Sequence, residues 1–452
     1  MGPKVSVIVL TWNSAAFLEP CLAALLNQDY APLEVIVIDN ASTDDSVAVA
    51  AKYLPRVLIV QNQRNLGYAG GNNVGIQSSN ADIIVLLNPD TAVQAGWLSA
   101  VVDTFQDSTI GVVGCKALYP DGRTIQHAGA VLEPASAYAH HIGCGEPDNG
   151  QYDRLTDCEY VTGAAIGIHR QLLQEIGGLD EEFFPAFYED VDFCYRARRA
   201  GFRVVYQPEA VLYHHETASL PAQSYARTVT YHRNRVRFVL RHWPLDRLQA
   251  FTAAELDSVG VGLVPDDLIG RAQAYLENLL NLSVILAERK QDGTLGGALT
   301  AEQGGWVRQS LRKLRSQVIQ RLYSLVVDGD ASAKPRAGLG STRENRLLES
   351  PDVLRLHDLV QDLENRYALR EPRLASKIPL LGPVIDWLRE LAISAVVRHY
   401  VLPMANEQTA INARVVRVVR GLSQIQQIML ADETAILDRL EKLDEKNQWN
   451  GK

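Results

Sequence analysis

The sequence predicts an α/β protein: a mostly parallel sheet with helices on both faces, followed by an all-α C-terminal region. Three observations predict it. Short apolar, β-branched runs alternate with helix-period segments from Val5 to Leu118. The buried runs end in polar turns, Thr11-Trp12-Asn13, Asp39-Asn40 and Asn88-Pro89-Asp90. Strand signals vanish beyond about residue 245.

Val5 to Leu10 is a short apolar run and hence a buried strand. Asn13 and Ser14 can cap the helix that follows, which runs to Gln28 with Pro20 marking its regular part. Glu34 to Ile38 is a second strand, Ser42 to Tyr53 a helix, and Val57 to Val60 a third strand. Tyr68 to Ser78 is a helix after Gly67, Ile83 to Leu87 a fourth strand, Gly96 to Phe105 a helix, and Gly111 to Leu118 a fifth strand. From 120 to 160 the pattern loosens into Gly, Pro and Asp turns. Tyr160 to His169 is again a strand, and Arg170 to Ile176 a helix stopped by Gly177-Gly178. An acidic helix runs from Glu189 to Ala200, two short strands flank Pro208, and a basic helix spans Tyr225 to His242. Leu248 to Lys290 and Trp306 to Val327 are helical. The expected domains are 1–245, a helical extension 246–327, a linker 328–345 rich in Gly, Ala, Ser and Asp, and a helical region 346–452.

With 452 residues, 47% hydrophobic and 21% charged, the chain is globular and large enough for two or three domains. A net charge of −9 argues against a general nucleic-acid binder. Five cysteines without CxxC spacing fit free thiols in a reducing compartment. No segment reaches ~18 uninterrupted apolar residues, and the N-terminus enters a strand directly. A cytoplasmic location is the default expectation.

The chemistry concentrates in a few turns. Glu189, Asp190 and Asp192 put three carboxylates in four residues beside Phe183-Phe184-Pro185-Ala186-Phe187. Such a cluster either holds a cation or keeps one carboxylate basic; the plain alternative is a capped helix with an Asp192–Arg196 salt bridge. Asp90 ends a buried strand, as an ordinary polar turn or as a hard-metal ligand. Asp39 and Asn40 suit a helix cap as well as a carboxylate accepting a base N–H or a ribose hydroxyl. The glycine-rich Asn65–Asn73 opens a helix and could meet a phosphate. His214 or His215 could join Asp90 on a metal.

Together these pieces resemble glycosyltransferase family 2, of the GT-A fold, in its rhamnosyltransferase-like branch. The resemblance covers residues 5 to about 243. It rests on Val7–Asn13, Val37–Asp44, Asn65–Asn73, Leu86–Thr91, Thr162–Ala164, Gly178–Phe184 and Glu189–Asp192 in order, with His214 after the next strand. It implies an inverting, metal-dependent glycosyltransferase that moves a sugar such as rhamnose from a nucleotide-diphosphate donor to a glycan or lipid-linked glycan acceptor in cell-surface polysaccharide assembly. Thr11, Trp12, Asn13, Asp39, Asn40, Asn65, Gly67, Asn72 and Asn88 would line the nucleotide-sugar site. Asp90 and His214 would hold Mg²⁺ or Mn²⁺, with Asn88-Pro89-Asp90 lacking the first acid of a DXD-type motif. Asp190 would be the catalytic base, with Glu189, Asp192, Thr162 and Gly163 on the acceptor side. The alternative is an inactive transferase-like scaffold that recruits partners through its helical tail; Asp39, Asp90 and Asp190 are all present, so nothing favours degeneration.

Ten arginines fall between Arg196 and Arg247. The helix 225–242 is therefore either a solvated face or a dock for an anionic membrane, which would place the protein at the inner face of the plasma membrane. The apolar segment 378–388 has no assigned role. Leu422, Met429, Ile436 and Leu443 repeat every seven residues and favour a homo-oligomer through C-terminal helices.

Overall fold

The computed structural model describes residues 2–215, 225–259, 265–291 and 297–327. The linker 328–345, the segment 378–388 and the seam at 422–443 lie outside the described residues.

The chain opens with β1 (Val5–Thr11), α1 (Ala15–Leu26), β2 (Leu33–Asp39), α2 (Ser46–Ala51), β3 (Leu58–Gln61), α3 (Gly67–Ser78) and β4 (Ile83–Leu87). β1 and β4 are buried along their whole length, which is why they read as unbroken apolar runs. β5 (Thr91–Val93), α4 (Trp97–Thr104) and β6 (Ile110–Leu118) follow, then the short β7 (Ile125–His127), β8 (Ala130–Leu132), β9 (Ala139–His141) and β10 (Thr156–Asp157). β11 (Ala165–His169), α5 (Arg170–Ile176), α6 (Glu189–Arg199), β12 (Arg203–His214) and α7 (Tyr225–His242) complete the α/β part. The main sheet runs β10-β12-β6-β11-β4-β1-β2-β3, with β5 on β12 and β7 on β6. β1 pairs in parallel with both β2 and β4, so the chain leaves β1 on one side and returns on the other. Ligands in open α/β sheets gather at the strand C-termini beside such a reversal.

The sheet is more mixed than its sequence suggests. β11 runs antiparallel to β4 and β6, while β12 is parallel to β6. β11 begins at Ala165, not Tyr160, because the preceding peptides spend their hydrogen bonds on side chains: Gly163 N–H donates to Asp190 and its carbonyl accepts from Tyr68. α2 begins at Ser46, not Ser42, since Ser42 N–H turns to the Asp39 carboxylate and Thr43 N–H to Asn13. The two strands around Pro208 are one, β12, with a register shift between Gln207 and Val211 where proline has no N–H to give.

The described residues divide into two compact units after Phe238, inside α7 and seven residues before the expected boundary at 245. The second unit contains α8 (Leu245–Ser258), α9 (Pro265–Leu280), α10 (Leu282–Gln291) and α11 (Ala301–Val327). α11 starts five residues before the expected Trp306. A reciprocal cap explains this: Gln303 N–H donates to Thr300 Oγ1 and Thr300 N–H to Gln303 Oε1. Arg289, fully buried, donates to the carbonyls of Leu240, Arg241 and Trp243 and closes the C-terminal end of α7.

Candidate active site

The loops at the C-terminal ends of β1 and β2 are locked to each other. Asn13, at φ 51°, accepts from Thr43 N–H at 2.7 Å and donates its own N–H to Ser42 Oγ at 3.0 Å. Thr11 is buried with its hydroxyl unpartnered, and Trp12 is half-buried. Asp39 is 3% exposed and accepts only long bonds from Ser42 N–H, 3.3 and 3.4 Å to its two oxygens. It is thus a weakly engaged carboxylate at a ligand-facing end, with capacity for further donors.

Its neighbour Asn40 is different. The side chain donates to Asn65 Oδ1 and Gly67 O and accepts from Asn62 Nδ2 and Leu66 N–H, which uses all four of its positions. Asn65 Oδ1 in turn accepts from Gly67 N–H at 2.7 Å. Tyr68 N–H donates to Pro185 O at 2.7 Å. The amides of Leu66, Gly67 and Tyr68 therefore have protein partners, which corrects the expectation that they cradle a phosphate. The glycines of α3 serve packing instead: a Cβ on Gly75 would lie 2.4 Å from Ile8, and one on Gly67, at φ +72°, 2.8 Å from Phe184. Asn72 donates to Tyr68 O and keeps a buried Oδ1 without a hydrogen bond.

Asp90 sits in the turn between β4 and β5, after Asn88, whose N–H donates to Ala164 O. β12 pairs with β5 so that His214 lies opposite Thr91. This places His214 Nε2 3.2 Å from Asp90 Oδ1, both residues being buried. His214 Nδ1 is 2.6 Å from Gln126 Oε1 on β7. With that amide oxygen as acceptor, Nδ1 carries the proton and Nε2 presents its lone pair to the carboxylate. Two lone-pair atoms at this distance need a positive charge between or upon them, so the pair suits a cation held by nitrogen and oxygen. His215 is exposed and packs on Phe17, with ring centroids 5.5 Å apart; only its backbone N–H reaches Asp90. Among the described residues, no three His, Cys, Asp or Glu side chains group as a complete cage.

The acidic cluster separates into three environments. Asp192 is fully buried and paired with Arg196 Nε at 2.7 Å, and that guanidinium also donates to the carbonyls of Ile176 and Gly178. Glu189 is 4% exposed with Oε2 unpartnered; burial, then the nearby Asp190 and Asp192 charges, push its carboxyl well above the usual range. Asp190 keeps some exposure. Its Oδ2 accepts from Gly163 N–H at 2.9 Å and Oδ1 from Val191 N–H at 2.8 Å. Burial raises its pKa above the ordinary aspartate value, and the two amides oppose that rise. Thr162 N–H meets His127 Nε2 at 3.4 Å, and Tyr68 Oη donates to Gly163 O at 2.5 Å, so the Thr162-Gly163 turn is held from three sides.

Backbone strain collects here. Among the described residues, the non-glycine positions with positive φ are Asn13, Ala41, Ala137, Phe187 and Tyr188. Asn13 and Ala41 sit at strand C-termini, Phe187 and Tyr188 lead into α6, and Ala137 accepts from Tyr188 Oη at 2.6 Å. Such conformations persist where surrounding structure enforces them, and they concentrate at functional sites.

Much of the basic helix α7 is turned inward, while Arg227 and Arg233 stay partly exposed. Arg235 is fully buried, donates to Ser136 O and lies 4.2 Å over the Tyr138 ring. Asn234 Nδ2 reaches the carbonyls of Phe183, Ala186 and Phe187 at 2.8–2.9 Å, and Arg233 donates to Phe184 O. Gln126, His127, Tyr160 and Asn234 carried no signal in the sequence, because they lie in two- to five-residue segments or among charges that read as surface.

Residues 6–176 match the family model described as Glycosyl transferase family 2. This segment is a family 2 glycosyltransferase domain. The matched segment contains the Asp39, Asp90 and Gly163 positions of the domain; Asp190 and His214 follow it. An uncharacterized protein of Sinorhizobium fredii, y4gI, is 33% identical over 252 residues, 53% of this chain and 28% of that protein. The O-antigen biosynthesis protein RfbC of Myxococcus xanthus is 31% identical over 232 residues, 49% of this chain and 18% of that protein. The N-acetylglucosaminyl-diphospho-decaprenol L-rhamnosyltransferase of Mycobacterium tuberculosis is 26% identical over 261 residues, 53% of this chain and 85% of that protein. The glycosyltransferase domain is thus shared, while the chain spans less than a third of the first two relatives.

Proposed function

We propose that the chain transfers a sugar from a nucleotide-diphosphate donor to a hydroxyl of a glycan or lipid-linked glycan, with inversion, in polysaccharide assembly. The carrying observation is the pairing of two unlike carboxylates. Asp90 faces an oriented imidazole, and Asp190, largely buried, accepts from backbone amides beside the strained Phe187 and Tyr188. The relatives named for O-antigen biosynthesis and for rhamnosyl transfer to a lipid-linked sugar support the same substrate class.

In this reading Asp39, with spare hydrogen-bond capacity, receives the nucleotide, assisted by the Thr11–Asn13 segment. Asp90 and His214 Nε2 fit Mn²⁺ or Mg²⁺, the imidazole favouring Mn²⁺, with the donor diphosphate completing the coordination. When bound, that cation neutralises charge developing on the leaving diphosphate. Asp190 takes the proton of the acceptor hydroxyl as the hydroxyl oxygen attacks the anomeric carbon. One base and no protein nucleophile give direct displacement, hence inversion. Asn40 and Asn65 shape the donor loop from behind, and Asp192 fixes α6 through Arg196.

The experiment is a donor-hydrolysis and transfer screen across nucleotide sugars with Mg²⁺, Mn²⁺ or EDTA. Asp190→Asn is expected to lower transfer by about 10²–10⁴-fold while leaving nucleotide binding in place. Full activity in that variant would falsify the base assignment, and activity unaffected by EDTA would remove the cation.

A further inference from the structure

Helices α1 and α2 start without a cap from the residue before them. Ser14 precedes α1 and Asp45 precedes α2, yet neither side chain bonds the helix it introduces; Ser14 Oγ donates back to Trp12 O. The first amide of a helix has no partner inside it and must find one elsewhere. Here both first amides find the same carboxylate. Ala15 N–H, opening α1, donates to Asp44 Oδ2 at 3.0 Å, and Ser46 N–H, opening α2, donates to Asp44 Oδ1 at 3.0 Å.

Asp44 thus caps one helix locally and the other across 29 residues of chain. Ser46 Oγ adds a relay, donating to Asp44 Oδ1 and accepting from Ser14 N–H at 3.0 Å. Ser46 is fully buried, which fixes the relay in place. Asn13 N–H goes to Ser42 Oγ, so the consecutive amides of Asn13, Ser14 and Ala15 all donate to side chains of the loop after β2. Thr43 N–H returns the bond to Asn13 Oδ1.

Ladder pairing between β1 and β2 ends at Thr11 and Asp39, and the side-chain bonds set what lies beyond it. There Asn13 and Ala41 stand at φ 51° and 62°, a backbone that persists only where its surroundings enforce it. Asp44 is exposed, which is how a solvated surface acid would look in the sequence. Burial pushes its pKa up, the bonds from Ser46 and Ala15 pull it down, and the bonds prevail. It therefore stays an anion at the positive end of α1.

We propose that Asp44 is a positioning residue for the nucleotide, holding the Thr11–Asn13 loop at a set distance from Asp39 so that both meet one nucleotide already ordered. This rests on the transferase reading and adds what prepares its donor side. A loop ordered in advance spares the ligand the cost of ordering it, so loss of the clasp weakens binding. Asp44 acts through the two loops, and the proton transfer at Asp190 does not depend on it.

The test uses the full chain, with UDP, dTDP and GDP as probes in the presence of Mn²⁺. Asp44→Ser keeps an oxygen for Ser46 N–H two residues on but is too short for Ala15, whereas Asp44→Ala loses both bonds. By calorimetry at least one nucleotide should bind the wild type, and both variants should bind it about 5- to 30-fold more weakly. Hydrogen exchange of the nucleotide-free protein, read by mass spectrometry, should quicken in 11–16 and 40–47 together in both variants. Asp107→Ala is the control. Asp107 holds Thr109 and Arg203 at the N-terminal end of β6, the opposite end of the sheet from these loops, and its loss should leave nucleotide affinity unchanged. Wild-type affinity in Asp44→Ser would reduce Asp44 to a local cap of α2 and overturn the proposal. Equal weakening in Asp107→Ala, or faster exchange in one loop alone, would overturn it too. A wild-type chain that binds none of the three nucleotides would instead strike the transferase reading, and the exchange rates would still decide whether Asp44 joins the loops.

Discussion

Glu189 carries the clearest electrostatic cost in the molecule. Its carboxyl is buried beside Asp190 and Asp192, and its pKa is raised by burial first and by those charges second. The native state therefore holds its proton more tightly than the unfolded chain does. Stability from this group is complete below the ordinary glutamate value and is lost as pH rises through the raised native value. Glu189→Gln should thus match the wild type in acid and become progressively more stable than it across that window, measured by urea unfolding at a series of pH values; parallel curves would refute the placement. A second residue-scale expectation concerns Gln126. With its amide removed in Gln126→Leu, His214 loses the partner that fixes Nε2 toward Asp90. Mn²⁺ affinity in the presence of UDP, read from free Mn²⁺ by electron paramagnetic resonance, should fall about 10–100-fold; unchanged affinity would leave His214 outside the cation site. The carboxylates were legible in the sequence because each follows a strong element: Asp39 and Asp90 end buried strands, and Asp190 opens a helix between Tyr188 and Gly201. Gln126 and His127 were not, because a three-residue strand such as β7 shows no period, and Tyr160 lies between strands rather than in one. The contacts that place Gln126 and His127 span 35 residues or more, such as Thr162 to His127.

At the scale of elements, α7 shows where a pattern of charges misleads. Its limits, Tyr225 to His242, are those its sequence predicts, yet its arginines are spent on carbonyls and ring faces of irregular loops. A planar guanidinium satisfies several carbonyls at once, so a basic helix can be the interior support of loops that have no ladder of their own. Asn234 is the tightest case, fully buried and donating to three carbonyls of the 183–187 stretch that leads into the strained Tyr188. Asn234→Leu keeps the volume and removes the donor. It should destabilise the protein by on the order of 2–3 kcal/mol, the cost of stranding buried carbonyls. It should also lower transfer more than donor hydrolysis, because the loop it holds positions α6 and Asp190 rather than Asp90. Equal losses in both activities would show that the loop serves the whole domain and not the acceptor half. The same reasoning explains the shortened α2 and β11: where side chains such as Asp39, Asn13 and Asp190 capture backbone amides, local propensity is overruled by tertiary hydrogen bonds.

At the scale of the molecule, the proposed chemistry lies within the first unit, from Thr11 to Asn234, and the division between units falls inside α7 after Phe238. A boundary inside a continuous 18-residue helix is not a linker; cutting there severs hydrogen bonds on both sides of the cut. The boundary is expected at 245 because strand signals vanish beyond it, and α7 does end at His242, just before Pro244. Burial of Val239, Leu240 and Trp243 nonetheless gives the last turn to the helical unit. This yields a graded truncation experiment. A chain ending at Val327 retains α7 through α11 whole, and should keep donor hydrolysis at the full-length rate with one cooperative melting transition for the first unit. A chain ending at Phe238 should lose solubility or melt earlier, since it ends in mid-helix. Light scattering on the same pair of chains, full length and ending at Val327, addresses the heptad at Leu422, Met429, Ile436 and Leu443: a drop from a multiple of the chain mass to a single mass locates self-association in 328–452. Loss of donor hydrolysis on removing 328–452, with nucleotide binding intact, would show instead that the C-terminal residues complete the reaction site, and the assignment of the chemistry to the first unit alone would fail.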